Sequence, residues 1–235
     1  GVRAARDPAK ARTYLTATTG GGVPEDVIGM IADGMVGVES VLRDLAKVDG
    51  AHIDIVEGDG GYPFPGYDTF YVAQVGEIPG FDPYEVYPQV RFRQRGPVLF
   101  RLIHDNIIHR GIPVRLNTPA ERLISGPDGT VRGLIVNSPE GRKTIAARKG
   151  VILACGGFEA DPEMQAKFWK IRPVLPAAFL GNTGDGIRMA QAVGANLWHV
   201  WQFHGSYGYR HSDPDYPFAL RIKRLPNWNP TVTVP

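Results

Sequence analysis

Arg148-Lys149-Gly150-Val151-Ile152-Leu153-Ala154-Cys155-Gly156-Gly157-Phe158 is the stretch on which the reading of the fold turns. Two basic residues precede an uninterrupted apolar run, residues 150–155, which ends on two glycines. A short apolar run bounded in this way reads as a strand buried on both faces, the kind found in parallel sheets. In open α/β sheets, ligands bind beyond the carboxyl ends of the strands. Glycines at that point bare the main chain, so a flat or charged ligand can approach it closely. Taken alone, Cys155-Gly156-Gly157 is equally a tight strand-to-helix turn, and its neighbours must decide.

Downstream, Asp161-Pro162-Glu163 opens a helix running to about Lys170, with Asp as N-cap and Pro in the first turn. A Pro-rich loop then reaches Gly181-Asn182-Thr183-Gly184-Asp185-Gly186, and a helix over residues 187–193 closes at Gly194. A Thr-Gly-Asp-Gly turn entering a helix presents free backbone N–H groups suited to an anion. Asp185 can cap those groups itself or bind a hydroxyl. By itself this turn is also a plain capped helix start. From Leu197 the chain alternates aromatic and polar residues, then becomes irregular.

Upstream, a helix over residues 97–110 carries Leu99, Leu102, Ile103 and Ile107 on one face and ends at Gly111. A short strand is expected over residues 112–117, then strands over 118–124, 131–137 and 144–147. Pro127-Asp128-Gly129 and Pro139-Glu140-Gly141 join the last three as hairpins, giving a small meander.

The first fifty residues read as two helices. Asp7 caps the first at Pro8, and Gly20-Gly21-Gly22 breaks it. The second starts near Pro24-Glu25-Asp26, carries Val27, Ile31, Met35, Val38, Leu42 and Leu45 as an apolar stripe, and closes at Gly50. Residues 58–96 are dense in Pro and Gly and leave little room for regular elements. Their aromatics, among them Tyr62, Phe64, Tyr67, Phe70 and Tyr71, predict an ordered cover rather than a disordered loop.

Composition narrows the class. The 235 residues suffice for one substantial core, or for one domain and part of another. A hydrophobic share of 43%, a charged share of 21% and a net charge of +2 fit a globular protein and give no sign of nucleic-acid or membrane-surface binding. The apolar runs are too short to span a bilayer, and the first residues lack the apolar core of a secretory leader. The single cysteine forms no internal disulfide, in keeping with an expected cytoplasmic location. His104 and His109 lie five apart on different helix faces, so no metal site is expected.

In order, spacing and wording, these segments resemble the FAD-binding family of fumarate reductase and succinate dehydrogenase flavoproteins and ketosteroid dehydrogenases. The resemblance rests on Asn117-Thr118-Pro119-Ala120 before the meander, on Ala147–Phe158 with Cys155 where that family has Thr, and on Thr183-Gly184-Asp185-Gly186 with Gly194-Ala195 beyond. Asp7-Pro8-Ala9-Lys10 also resembles the segment that follows the family's flavin-contacting loop. Together the matches cover most of residues 7–205. They imply an α/β fold: a partial Rossmann-like FAD-binding domain with an inserted β-meander over residues 1–158, and the start of an α+β cap (substrate) domain over residues 159–235.

The resemblance also implies roles. Pro119 and Ala120 would lie near the adenine of FAD, Ala154, Cys155 and Gly156 beside its ribose and pyrophosphate, and Asn182, Thr183, Gly184 and Asp185 towards the flavin. His204 matches a substrate-binding histidine, without the proline that usually follows it, and a packing role fits it as well. Ketosteroid dehydrogenases use tyrosine as an acid or base, which makes Tyr67 and Tyr71 catalytic candidates, with core packing as the alternative for each. The expected reaction moves a hydride between flavin and a C–C bond beside a carbonyl or carboxylate of a small-molecule substrate. The aromatic loop leans this towards a bulky ketone rather than fumarate.

Two departures stand against a complete enzyme. The family's opening strand, Gly-x-Gly-x-x-Gly/Ala turn and helix have no counterpart, since Gly20-Gly21-Gly22 falls between helices. The family's C-terminal part is also unmatched. The expectation is therefore a fragment or one piece of a split enzyme, whose flavin site is completed by missing segments or a partner chain. The alternative is a non-catalytic flavoprotein fragment or subunit that has lost its flavin site. A hydrolase using Cys155 would need a histidine beside the thiol, and no motif supplies one. The run Arg91-Phe92-Arg93-Gln94-Arg95 reads either as a carboxylate or phosphate site or as solvated surface.

Overall fold

The computed structural model describes residues 2–88, 95–176, 179–201, 208–213, 215 and 220–221. Residues 91–94 of the basic run and His204 lie outside the described residues. The chain divides into two compact units, Gly1–Val114 and Arg115–Pro235.

The first unit is built around a three-stranded antiparallel sheet. β1 (Val2–Ala5) and β2 (His52–Glu57) flank β3 (Phe70–Glu77) in the order β1-β3-β2. Two helices follow β1: α1 (Pro8–Thr19) and α2 (Glu25–Leu45). Asp7 Oδ1 caps α1 by accepting from the N–H groups of Ala9 at 2.8 Å and Lys10 at 3.1 Å, as the Asp-Pro start predicts. Gly20 ends that helix at φ +57, a left-handed conformation that glycine adopts without Cβ strain. After β3 come a short helix, α3 (Pro83–Val86), and α4 (Arg95–His109).

The core of this unit joins Leu42 and Ala46 at the end of α2 and just beyond it, Ile53 of β2, Tyr71, Ala73 and Val75 of β3, and Val98 and Leu102 of α4. A second cluster sets Tyr14 and Ala11 of α1 against Ala32 of α2 and Phe70 of β3. Ile28, Leu102 and Val75 are the largest side chains fully buried, each worth about 1.5–3 kcal/mol of transfer free energy.

This sheet corrects the expectation of an irregular cover over residues 58–96. Phe70 and Tyr71 are both buried because β3 is the central strand, with apolar clusters against both residues. Besides the short turns after β3 and α3, the described part of this stretch has one longer irregular connection, from Gly58 to Gly66. Tyr14 pins it, donating its hydroxyl to Gly60 O and accepting from Tyr62 N at 3.2 Å.

The second unit opens with the expected meander: β4 (Ala120–Ser125), β5 (Val131–Ser138) and β6 (Gly141–Ala146), antiparallel in sequence order. Then come α5 (Pro162–Phe168), α6 (Asp185–Ala192), and a two-residue pair, β7 (Gly208–Tyr209) with β8 (Leu220–Arg221). Phe158, Met164 and Trp169 form the core between α5 and α6, with Ile187 and Val174 against it. α6 also packs on β4.

Two expected strands are corrected. Residues 112–117 and 150–155 join no ladder, and every strand pair among the described residues is antiparallel. An apolar run is buried as a strand only where hydrogen-bonded neighbours flank it. Among the described residues none flanks this one, and Ile152 stands 94% exposed. The structure is a mixed α and β fold whose sheets are small and antiparallel.

Candidate functional site

The site grows from a junction of two glycine turns in the second unit. Gly156 has φ +79 and Gly184 φ +81, so both need the freedom glycine has in the left-handed region. Both are also crowded. A Cβ on Gly156 would overlap the Asn182 amide, and one on Gly184 would overlap the Met164 sulfur. The turns are stitched by main-chain bonds: Gly184 N donates to Gly157 O at 3.0 Å, and Ala160 N donates to Asn182 O at 3.0 Å. Asn182 Nδ2 donates to Glu159 Oε1 at 2.5 Å. The Cys-Gly-Gly and Asn-Thr-Gly-Asp motifs, about thirty residues apart in sequence, therefore form one structure.

Charge fixes the helices around this junction. Asp161 Oδ1 caps α5 by accepting from Glu163 N at 2.8 Å and Met164 N at 3.0 Å, while its Oδ2 pairs with Arg188 of α6. The Arg188 guanidinium and the two capping N–H groups hold the Asp161 carboxyl below the usual aspartate range. Thr183 Oγ1 donates to Asp185 Oδ2 at 3.1 Å, so the Asp185 carboxylate folds back over the start of its own helix.

A shallow cavity of about 240 Å³ lies at this junction, lined by Leu153, Cys155 and Gly156 on one side and by Gly186, Ile187 and Ala190 of α6 on the other. Ala154, Cys155 and Gly156 are exposed. The packing of Cys155 into a strand core is thereby corrected: without flanking strands the thiol stands in solvent, next to Gly186. Pro119 is exposed and its carbonyl accepts from Asn137 N at 2.9 Å, while Ala120 opens β4 opposite Val136. Because α6 packs on β4, the structure gathers Pro119, Ala120, residues 154–156 and residues 182–185 within one unit.

The tyrosines lie in the other unit. Tyr67 is 46% exposed, in the turn just before β3. Tyr71 is 5% exposed, with its hydroxyl donating to Glu39 Oε2 at 3.1 Å and the Arg6 guanidinium 4.7 Å from its ring centroid. Burial, reinforced by the Glu39 carboxylate, pushes the Tyr71 hydroxyl above the ordinary tyrosine value of 10.0, which opposes its use as a base near neutrality.

Glu159, Asp161 and Arg188 were not legible as site residues, since the motifs draw attention to glycines and not to the side chains that brace them. Asp161 had a signal of its own, the Asp-Pro helix start. Among the described residues no group of three His, Cys, Asp or Glu side chains converges as a metal site, and no helix is long and apolar enough to cross a membrane.

The donor set suits one part of a dinucleotide. Exposed glycine main chain and a helix start can receive sugar or phosphate oxygens, and the small apolar recess can take a ring edge or a ribose. At about 240 Å³ it falls short of the ~300–1,000 Å³ of a complete ligand pocket.

Residues 4–206 match the family model described as an FAD binding domain. The 3-oxosteroid 1-dehydrogenase of Mycobacterium tuberculosis is 40% identical over 95 residues, 37% of this chain and 16% of that protein. The 4-oxocyclohexanecarboxylate 2-dehydrogenase of Sinomonas cyclohexanicum is 30% identical over 176 residues, 73% of this chain and 30% of that protein. Among solved structures, a 3-ketosteroid delta1-dehydrogenase from Sterolibacterium denitrificans in complex with 1,4-androstadiene-3,17-dione shares the fold with a TM-score of 0.66 at 20% identity, over 83% of this chain and 45% of that one. The chain thus spans less than half the length of each of these relatives.

Proposed function

The chain belongs to the FAD-binding domain family matched over residues 4–206, and from that premise we propose that the whole protein is an FAD-dependent oxidoreductase acting on a C–C bond beside a carbonyl or carboxylate. The observation that carries the proposal is the stitched glycine junction, where Gly156 presents exposed main chain beside a recess and the more buried turn at Asn182 and Gly184 holds it in place.

FAD, when bound, supplies the redox step, a hydride exchanged between its ring and the substrate carbon. The chain's own residues orient and desolvate. Pro119 and Ala120 would hold the adenine, Ala154, Cys155 and Gly156 the ribose and pyrophosphate region, and Asn182 to Asp185 the side towards the flavin. Glu159 keeps the Asn182 amide in place, and the Asp161–Arg188 pair keeps α5 and α6 in register. A tyrosine would hold the proton that moves opposite the hydride. Of the two we favour Tyr67 for this, because Tyr71 is committed to Glu39 and the core. His204 would contact the substrate.

The assignment of residues 1–158 to a Rossmann-like FAD-binding domain and residues 159–235 to the start of a cap domain is part of the same proposal. So is completion of the flavin site by further segments or a partner chain. For the substrate we favour a cyclic ketone over a dicarboxylate. The named relatives act on a 3-oxosteroid and on 4-oxocyclohexanecarboxylate, both cyclic ketones.

Turnover decides the reading. FAD-loaded protein should reduce an artificial dye with a saturated or monounsaturated ring ketone such as 4-androstene-3,17-dione, and should oxidise a reduced dye little or not at all with fumarate. The opposite preference would move the substrate to the dicarboxylates. Bound FAD that neither molecule oxidises or reduces would remove the proposed activity.

A further inference from the structure

Among the described residues, two side-chain oxygens at the glycine junction accept no hydrogen bond: Asn182 Oδ1 and Glu159 Oε2. A carboxylate only accepts, so the Asn182 amide turns Nδ2 to Glu159 Oε1, at 2.5 Å, and leaves Oδ1 facing the other way. There Asn182 Oδ1 fills the space a Cβ on Gly156 would take, and Glu159 Oε2 crowds the space of a Cβ on Gly157. Both side chains are half-buried, yet neither oxygen is sealed from solvent. The side-chain polar atom that is both buried and unpaired, among the described residues, is Asp49 Oδ2.

The pair is held from behind. Gln165 of α5, buried, donates its Nε2 hydrogens to Glu159 O at 2.7 Å and Val174 O at 2.9 Å, and its Oε1 accepts from Val174 N at 2.9 Å. Ala160 N holds the Asn182 carbonyl. Main chain and side chain of both residues are thus fixed before a ligand arrives, and preformed acceptors lose little on binding. The Arg188 guanidinium of α6 is engaged by Asp161 and the Thr183 carbonyl, while Asp185 adds an exposed carboxylate at the start of α6. A phosphate oxygen only accepts, so beside Gly156 and Gly157 it would meet two further acceptors, one of them charged. A sugar hydroxyl donates as well as accepts, and a vicinal diol has a proton for each oxygen.

We propose that Glu159 Oε2 and Asn182 Oδ1 select a sugar of the dinucleotide, ribose or ribityl, by accepting from its vicinal hydroxyls, and turn the pyrophosphate away from the Gly156-Gly157 turn. The proposal rests on the FAD-binding reading for the identity of the dinucleotide. It divides a region otherwise shared between ribose and pyrophosphate. Glu159 then touches the ligand itself, besides bracing the Asn182 amide.

The test is a ligand-observed NMR titration of the purified protein with FAD, adenosine, riboflavin and inorganic pyrophosphate. Adenosine and riboflavin are each compared with the same ring system stripped of its sugar hydroxyls, dideoxyadenosine and lumiflavin. In the wild type at least one sugar-bearing probe should bind about tenfold to a hundredfold more tightly than its stripped partner, the effect of one hydrogen bond to a charged group. The probe that shows the difference identifies the sugar, and pyrophosphate should bind more weakly than that probe. Glu159→Gln keeps an oxygen for Asn182 Nδ2 but sets N–H donors where Oε2 stood. It should erase the difference and weaken FAD by a similar factor, with the Tm unchanged. Equal binding within both wild-type pairs, pyrophosphate bound more tightly than either sugar, or a difference that survives in Glu159→Gln would each overturn the acceptor pair. The wild-type comparisons hold even if the variant does not fold. FAD bound without a sugar preference leaves the flavin reading standing and removes the pair. A sugar preference without FAD binding keeps the pair and sinks the flavin reading, and no binding of any probe sinks both.

Discussion

Gly156 and Asn182 are packed so closely that the glycine's missing Cβ is what leaves room for the asparagine amide. The amide is in turn held by Glu159, and the carbonyl of Asn182 by Ala160 N, so the side chain cannot simply swing away. Gly156→Ala therefore meets two obstacles at once, a backbone at φ +79 and an occupied space. We expect a loss of about 1–3 kcal/mol. For a chain of this size that lowers the Tm by several degrees, at roughly 2–4 °C per kcal/mol, in a thermal melt. FAD retention should fall with it. A variant as stable as the wild type would mean that the junction is loose.

Asp161 joins a helix cap to an ion pair with Arg188, and this makes its contribution dependent on pH. Its carboxyl titrates below the ordinary aspartate value of 3.8, so it stabilises the fold above that value. The contribution is lost as pH falls through the depressed folded value. Asp161→Asn keeps a cap of similar shape but loses the ion pair. Its melting temperature should lie below that of the wild type at neutral pH, with the gap closing in acid. A gap that stays constant down to acid pH would contradict the assigned role.

Tyr71 should ionise late. Its folded value lies above 10.0 because burial and Glu39 both oppose the phenolate, so its stabilising effect is full below 10.0 and is lost as pH rises towards the folded value. Absorbance titration near 295 nm should show a late-ionising tyrosine that disappears in Tyr71→Phe. Turnover should separate the two tyrosines. Tyr67→Phe should lower kcat by about 10²-fold or more if Tyr67 moves the proton, whereas Tyr71→Phe should act mainly on stability.

Leu102 is fully buried where α4 meets the sheet of the first unit, and Asn106 one turn on donates its amide to Leu45 O and Leu102 O, each at 2.9 Å. Leu102→Ala should cost about 2–5 kcal/mol. Asn106→Ala strips two carbonyls of a partner and should cost about 1–3 kcal/mol. Urea unfolding measures both. A cost under about 0.5 kcal/mol for either would mean that α4 does not anchor the unit.

The helices and the meander were legible in the sequence because their signals are local. Asp7-Pro8 and Asp161-Pro162 announce caps, the stripe from Val27 to Leu45 has helical period, and Pro127-Asp128-Gly129 turns a hairpin. What failed was non-local. β3 alternates and is rich in aromatic and β-branched residues, yet Gly58–Gly66 before it and Pro79-Gly80 after it mask the strand, and its partner β1 lies far away in sequence. The opposite error arose at residues 150–155. Their apolar character is plain, but burial depends on neighbours that no local pattern supplies, and Ile152 stands in solvent. At the candidate site, the glycines showed in the sequence as motifs. The side chains that brace them, Glu159 and Arg188, did not, because an ordinary charged residue becomes a brace only when the fold brings its partner to it.

If this chain binds FAD through the junction of Gly156, Asn182 and Gly184, the visible absorption spectrum of the purified protein will show it. After incubation with FAD and gel filtration the protein should carry two flavin bands, release FAD on denaturation, and retain less of it as Gly156→Ala. A protein that stays colourless after the same treatment, at its full mass and correctly folded, would overturn FAD binding at this junction and leave a flavoprotein relative that has lost its cofactor.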